Sequence, residues 1–176
     1  MALPQALSSA ILPVVGLVGL LHGRAAPVVM KSELLLPQAM ARQIEREGAD
    51  AYPNECCGIL FGIEAREGDQ LRRVVERIEK VENEFEQQER FHRFLITPDT
   101  LMKAEKAAAT EGRIVLGFYH SHPDAPARPS DYDRQHGWPF YSYVIVSILN
   151  RQPADMTSWV MDEATERFER QDIIET

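Results

Sequence analysis

Two runs dominate the sequence, Ile114-Val-Leu-Gly-Phe-Tyr119 and Tyr143-Val-Ile-Val-Ser-Ile-Leu149, both apolar and rich in the β-branched and aromatic residues that suit a pleated surface. They read as central strands, buried on both faces, so the rest of the chain must cover a sheet from two sides. Helices are the expected cover. Pro37 to Gly48 places Met40, Ala41 and Ile44 at helical spacing before a glycine stop. Thr97-Pro98-Asp99 offers a hydroxyl cap, a proline at the first helical position and an acid in the first turn, predicting a helix to about Glu111-Gly112. The small residues in Cys57-Gly-Ile-Leu-Phe-Gly-Ile63 suit a buried strand approached closely by another backbone. Leu71 to Val81 is a charged strand expected towards the sheet edge, and Glu82 to Arg93 has no period and reads as a loop. Thr157 to Met161 and Arg167 to Ile174 look like closing strands, the last equally compatible with a helix.

The bulk properties narrow the function. A chain of 176 residues suits one domain. A formal net charge of -8, from 27 acidic residues against 19 Lys and Arg, argues against a phosphate-tracking surface and so against a nucleic-acid partner. Cys56 and Cys57 are adjacent, which a relaxed disulfide does not allow, and a reducing, cytoplasmic setting fits that pair. Ala10 to Leu21 is an apolar run of signal-peptide length, too short to span a membrane and lacking a basic stretch before it. Export and a membrane partner are therefore not expected. Residues 1–29 read as an N-terminal extension of uncertain role, and 30–176 as the functional domain.

Between the two strong strands lies Tyr119-His-Ser-His-Pro-Asp-Ala-Pro-Ala-Arg-Pro-Ser-Asp-Tyr-Asp133, too rich in proline for regular structure before Ser130 and expected as a shaped loop at a strand end. If strand geometry persists, His120 and His122 point to the same side, as two ligands of one ion must. Ser130 after Pro129 reads as a helix start that sets Asp133 in the first turn, facing back towards the histidines. Two imidazoles and a carboxylate leave one of the four positions of zinc open for water, the mark of a catalytic rather than a structural site. A base must then take a proton from that water, and Glu55, at the mouth of the glycine-flanked strand, is the candidate. A lone His-x-His is more often surface chemistry, and Ser-x-x-Asp more often a plain capping box. Their coincidence with Glu55 makes a catalytic metal the sharper reading.

These residues carry a resemblance. His120-Ser-His-Pro123 is followed after seven residues by Ser130 and after two more by Asp133, with Glu55 upstream in Pro-Asn-Glu-Cys-Cys-Gly, and this resembles the signature of the JAMM (MPN-plus) metallopeptidases. Asn83, Phe94 and Gly117-Phe-Tyr119 are similar to the compact bacterial and archaeal branch. The resemblance implies a cytidine-deaminase-like α/β fold, a curved mixed sheet flanked by helices. It also implies that His120, His122 and Asp133 hold zinc, that Glu55 is the general acid/base, and that Ser130 supports the oxyanion. The implied activity is hydrolysis after the C-terminal Gly-Gly of a ubiquitin-like or sulfur-carrier protein, with the Glu82 to Arg93 loop as a wall of the cleft. Short segments at Glu84 to His92 and Asn150 to Asp155, where eukaryotic relatives carry insertions, favour a stand-alone enzyme. One alternative is a binding module that holds a ubiquitin-fold partner without cutting it, against which the intact ligand set argues. A zinc deaminase is remote, because Pro-Cys-x-x-Cys and His-x-Glu are missing.

Other residues have plainer readings. Cys56 and Cys57 are expected as buried packing on opposite faces, His136 as a surface residue or a neighbour of the ligands, and His92 as solvated. The Trp138 to Tyr143 aromatics are expected to pack the helix on the sheet, and Trp159 to be core or sheet surface.

Overall fold

The strands pair in the order β1-β3-β2-β4-β5-β6-β7 and the ring closes between β7 and β1. The computed structural model describes residues 31–68 and 70–176, so the expected extension over 1–29 lies outside the described residues. The strands are β1 (Lys31–Leu36), β2 (Cys57–Glu67), β3 (Gln70–Val81), β4 (Ile114–Pro123), β5 (Ser142–Leu149), β6 (Gln152–Asp162) and β7 (Arg167–Glu175). The helices are α1 (Gln38–Ala51), α2 (Pro98–Thr110) and α3 (Asp131–His136). Pairing is mixed: β1 runs parallel to both β3 and β7, β4 runs parallel to β5, and the remaining pairs are antiparallel. The expected α/β domain with a curved mixed sheet is present, and the curvature goes as far as closure. Among the described residues, no helix is long and apolar enough to cross a membrane.

Each face of the sheet has its own core. On one side Leu34, Leu36, Leu60, Val144, Val146 and Ile148 pack against Ala41 and Ile44 of α1. On the other, Ile59, Phe61, Val115, Phe118 and Tyr143 pack against Ala108 of α2. Thr97 caps α2 by accepting from the Thr100 amide, with Pro98 at the first position and Asp99 in the first turn, as its local signals indicate. Gly62 explains the small residues of β2: a Cβ there would stand 1.9 Å from the Val74 carbonyl oxygen, so only glycine lets β3 approach.

Two strands depart from the expectation. β3 is not an edge strand, because β1 covers its far side, with Lys31 opposite Gln70 and Leu35 opposite Val74. Its charges are accommodated where they can pair, as Arg73 does with Glu64 at 3.3 Å. β1 itself is absent from the sequence reading, although Leu34 and Leu36 alternate with partly buried neighbours and are themselves fully buried. The last segment, open between strand and helix, is the strand β7.

Candidate metal centre

The site is assembled by the pairing of β2 with β4. Cys57 stands opposite His120 in this antiparallel ladder, and one step outward in the same register Cys56 meets Ser121 through two hydrogen bonds. The Cys56 amide donates to Ser121 Oγ at 2.9 Å, and the Ser121 amide donates to the Cys56 carbonyl at 3.1 Å. Continuing that register sets Glu55 opposite His122. Because facing residues share a side and alternate residues share a face, Glu55, Cys57, His120 and His122 all point the same way. The histidines belong to β4 rather than to a loop, since the strand runs on to Pro123. Their Nε2 atoms lie 3.0 Å apart.

The connection after β4 is tied down at several points. The Asp124 amide donates to the Ile148 carbonyl at 2.8 Å, Ser147 Oγ donates to the Ala125 carbonyl at 2.7 Å, and Thr157 Oγ1 donates to the Ala127 carbonyl at 2.5 Å. His122 Nδ1 lies 3.0 Å from the Pro126 carbonyl, which can only accept, so Nδ1 carries the proton and Nε2 keeps its lone pair for a metal. The chain then enters α3 through a full capping box. Ser130 N and Ser130 Oγ donate to Asp133 Oδ2 at 2.7 and 2.6 Å, and the Asp133 amide donates to Ser130 Oγ at 3.1 Å. That box turns the Asp133 carboxylate back to the histidines, with Oδ1 3.5 Å from His120 Nε2 and Oδ2 3.5 Å from His122 Nε2.

Among the described residues, His120, His122 and Asp133 are the group of His, Cys, Asp and Glu side chains whose ligand atoms converge, all within 4.8 Å of one another. Ligand atoms about 2.0–2.1 Å from a tetrahedral ion stand roughly 3.3 Å apart. The observed 3.0 and 3.5 Å separations match that spacing, and the donor set fits a borderline metal. His120 is fully buried, its Nδ1 has no partner, and its ring stacks on Phe94 with centroids 4.4 Å apart.

Burial and charge set the protonation states. Burial lowers the pKa of His120 against the pull of Asp133, which keeps the imidazole neutral. Burial works to raise Asp133, but the facing imidazoles and the hydrogen bonds from them and from Ser130 hold its carboxyl well below the usual range. Glu55 is 6% exposed, and burial first, then the charge of Asp133, push its carboxyl up to about 9. A sign follows for the chelated protein. The ordinary value of Glu55 is 4.5, so between 4.5 and about 9 the folded chain holds a proton that the unfolded chain has lost, and stability falls as pH rises through that interval. His120, with its pKa lowered from 6.5, acts in the opposite sense only below that value. Between roughly pH 7 and 9, then, the melting temperature in excess chelator is expected to fall, and Glu55→Gln is expected to flatten the slope. A Glu55→Gln curve as steep as that of the wild type would assign the slope to another group.

The remaining candidates fall outside the triad. His136 is exposed, stacks on Tyr132 and lies 2.9 Å from the Tyr132 carbonyl through Nδ1. His92 is exposed and pairs with Glu89. Both cysteines are buried and free, with Cys56 in the α1-side core and its thiol pushed up to about 11 by burial. The aromatic segment differs from expectation. Tyr141 and Tyr143 do pack against Phe118, but Trp138 and Phe140 are 65% and 72% exposed because the chain after α3 passes outside the sheet before entering β5. Trp138 instead borders a groove of about 280 Å³ that runs from Asp133 past Phe94, Leu101, Phe118 and Tyr141. A Trp-Pro-Phe run between a six-residue helix and a strand was the available signal for it.

A mixed α/β barrel with a buried His-His-Asp triad and a buried glutamic acid on the same face defines a metal centre of the hydrolytic class. The chain belongs to the prokaryotic homologues of the JAB domain, whose family model matches residues 37–162. It is 33% identical over 123 residues to a protein named desampylase from Haloferax volcanii, covering 69% of this chain and 81% of that one. It is 32% identical over 100 residues to a probable TtuB-protein conjugate cleaving protease from Thermus thermophilus, covering 57% and 60%. The solution structure of a protein from Desulfitobacterium hafniense superposes with a TM-score of 0.66 at 30% identity, over 81% of this chain and 92% of that chain.

Proposed function

We propose that residues 30–176 form a zinc-dependent isopeptidase that hydrolyses the bond after the C-terminal Gly-Gly of a ubiquitin-like or sulfur-carrier protein. The observation that carries this reading is the convergence of three buried ligand atoms on the face that also bears Glu55. The names of the relatives supply the substrate class, since one is a desampylase and another a protease that cleaves protein conjugates.

His120, His122 and Asp133 are the residues that would hold the ion. Bound there, zinc supplies Lewis-acid polarisation of the scissile carbonyl and makes water acidic enough to attack near neutral pH. Glu55 takes the proton from that water and returns it to the leaving amine, as a buried carboxyl with an adaptable charge state can. The Pro126 carbonyl keeps the His122 imidazole turned with Nε2 towards the ion. Ser130 accepts from the Asp133 amide while its own proton goes to Asp133 Oδ2, so its hydroxyl serves the cap first. Its oxyanion role requires that proton to swing from Asp133 to the developing charge. The groove beyond Asp133 offers apolar walls for the residues flanking the scissile bond.

The test is direct. Purified protein is expected to hold one zinc per chain and to release free modifier from a Gly-Gly-lysine isopeptide conjugate, with activity lost on chelation and restored by zinc. Activity of equal size in protein stripped of metal would defeat the reading. A metal-free preparation that binds the intact conjugate without cutting it would establish the binding module instead.

A further inference from the structure

Asn83 is buried, 9% exposed, and spends its entire amide on three backbone segments. Nδ2 donates to the Glu55 carbonyl at 3.2 Å and to the Arg93 carbonyl at 2.9 Å. Oδ1 accepts from the Phe85 amide at 3.0 Å and the Leu95 amide at 3.2 Å. Both donors meet carbonyls and the oxygen meets two N–H groups, so only this orientation of the amide satisfies the network, and a carboxylate or hydroxyl in its place cannot. The tethers are not scattered. Arg93 and Leu95 flank Phe94, whose ring stacks on His120, and the third tether is the main chain of Glu55 itself.

We propose that Asn83 is a positioning residue that sets Glu55 and Phe94 on either side of the ligand His120, acting through its hold on the 82–95 loop. Two further contacts make the loop a rigid lever rather than a loose flap. The Glu55 amide donates to the Arg90 carbonyl at 2.7 Å, and Phe85 packs edge-on against Tyr132, the neighbour of Asp133, with centroids 5.8 Å apart. One side chain therefore ties the entry of β2 to both ends of a loop that touches β4 and α3. Its loss misaligns the proton-transfer group without removing a ligand, which lowers the rate of the chemical step and spares metal occupancy.

The inference rests on the isopeptidase reading for its kinetic arm and on the fold alone for its spectroscopic arm. Asn83→Asp keeps the acceptor and replaces the two donors by a carboxylate oxygen that repels both carbonyls. It is expected to retain one zinc, to leave KM little changed and to lower kcat by about 10–100-fold. In chelated and zinc-loaded protein alike, the His120 ring-proton resonance, displaced by the Phe94 ring, is expected to move back. Asn83→Ser, whose hydroxyl reaches one carbonyl at a time, gives an intermediate kcat and covers the case in which the aspartate folds poorly. Arg90→Gln loosens the same loop by deleting the 2.7 Å bond to the Phe85 carbonyl, touches neither tether and leaves kcat near wild type. Wild-type kcat in Asn83→Asp, a loss carried by KM or by zinc, or an unmoved His120 resonance overturns the assignment. A wild type with no zinc-dependent hydrolysis sinks the isopeptidase reading instead, and the resonance then decides the role of Asn83 alone.

Discussion

Glu55→Gln retains one zinc per chain and loses at least about 10³-fold in kcat on a Gly-Gly conjugate, within the range that a positioned acid/base supplies. Glutamine preserves the shape of the side chain and its buried position but cannot take or return a proton. No compensation is at hand on the same face: Asp133 is committed to the histidines and Ser130, and Cys57 is a buried thiol raised further by burial. The substitution has a second, independent consequence. A carboxyl that burial and the charge of Asp133 push up to about 9 destabilises the fold whenever it ionises, so the chelated Glu55→Gln protein should melt higher than the chelated wild type at pH 8. Lower activity with higher stability is the signature of a group held for chemistry rather than for the fold. Turnover above a tenth of wild type in a zinc-replete Glu55→Gln protein removes Glu55 from the proton path.

What could be read from the sequence separates along a physical line. α2 was legible because its start is local: Thr97, Pro98 and Asp99 act on their own backbone and need no partner. The cap at Ser130 was legible for the same reason, and it carries Asp133 with it. β4 and β5 were legible because runs apolar on both faces have few alternatives, and both lie inside the ring. β1 was not, since Lys31-Ser-Glu-Leu-Leu-Leu36 becomes a strand only through β3 and β7, the latter more than a hundred residues away in the chain. The edge position expected for β3 failed because charge was taken as a sign of solvent. Arg73 is buried there, held by Glu64, by Ser142 Oγ at 2.8 Å and by the Phe140 carbonyl at 2.6 Å. Glu55 could be named as a candidate, but that it stands opposite His122 is a fact of register, and register is written in pairs of strands rather than in either alone. The same holds for Asn83, whose four bonds join residues spaced up to 28 apart. Trp138 and Phe140 were misjudged for the converse reason: aromatic composition signals packing, yet their exposure depends on where the chain leaves α3.

Asp133→Asn weakens zinc binding by at least about 10³-fold, well beyond the 10–100-fold typical of a residue that merely orients a ligand. Asparagine is the informative replacement because its amide oxygen still accepts from the Ser130 amide, so α3 keeps half of its capping box and the helix start survives. What is lost is the negative charge facing two imidazoles whose Nε2 atoms stand 3.0 Å apart, an arrangement that two lone pairs tolerate poorly without a cation or an anion between them. The same substitution removes the second cause of the raised Glu55 pKa, leaving burial alone, so the fall in melting temperature of the chelated protein between pH 7 and 9 becomes shallower than in wild type. The two effects are opposite in character, one a loss of metal and the other a gain in alkaline stability, and general unfolding produces only the first. Competition against a chromophoric chelator measures the affinity, and a pH series of melts measures the slope. Zinc held within a few-fold of wild type by Asp133→Asn would mean that the capping carboxylate is no ligand, and the two histidines would then lack the third donor on which a hydrolytic centre depends.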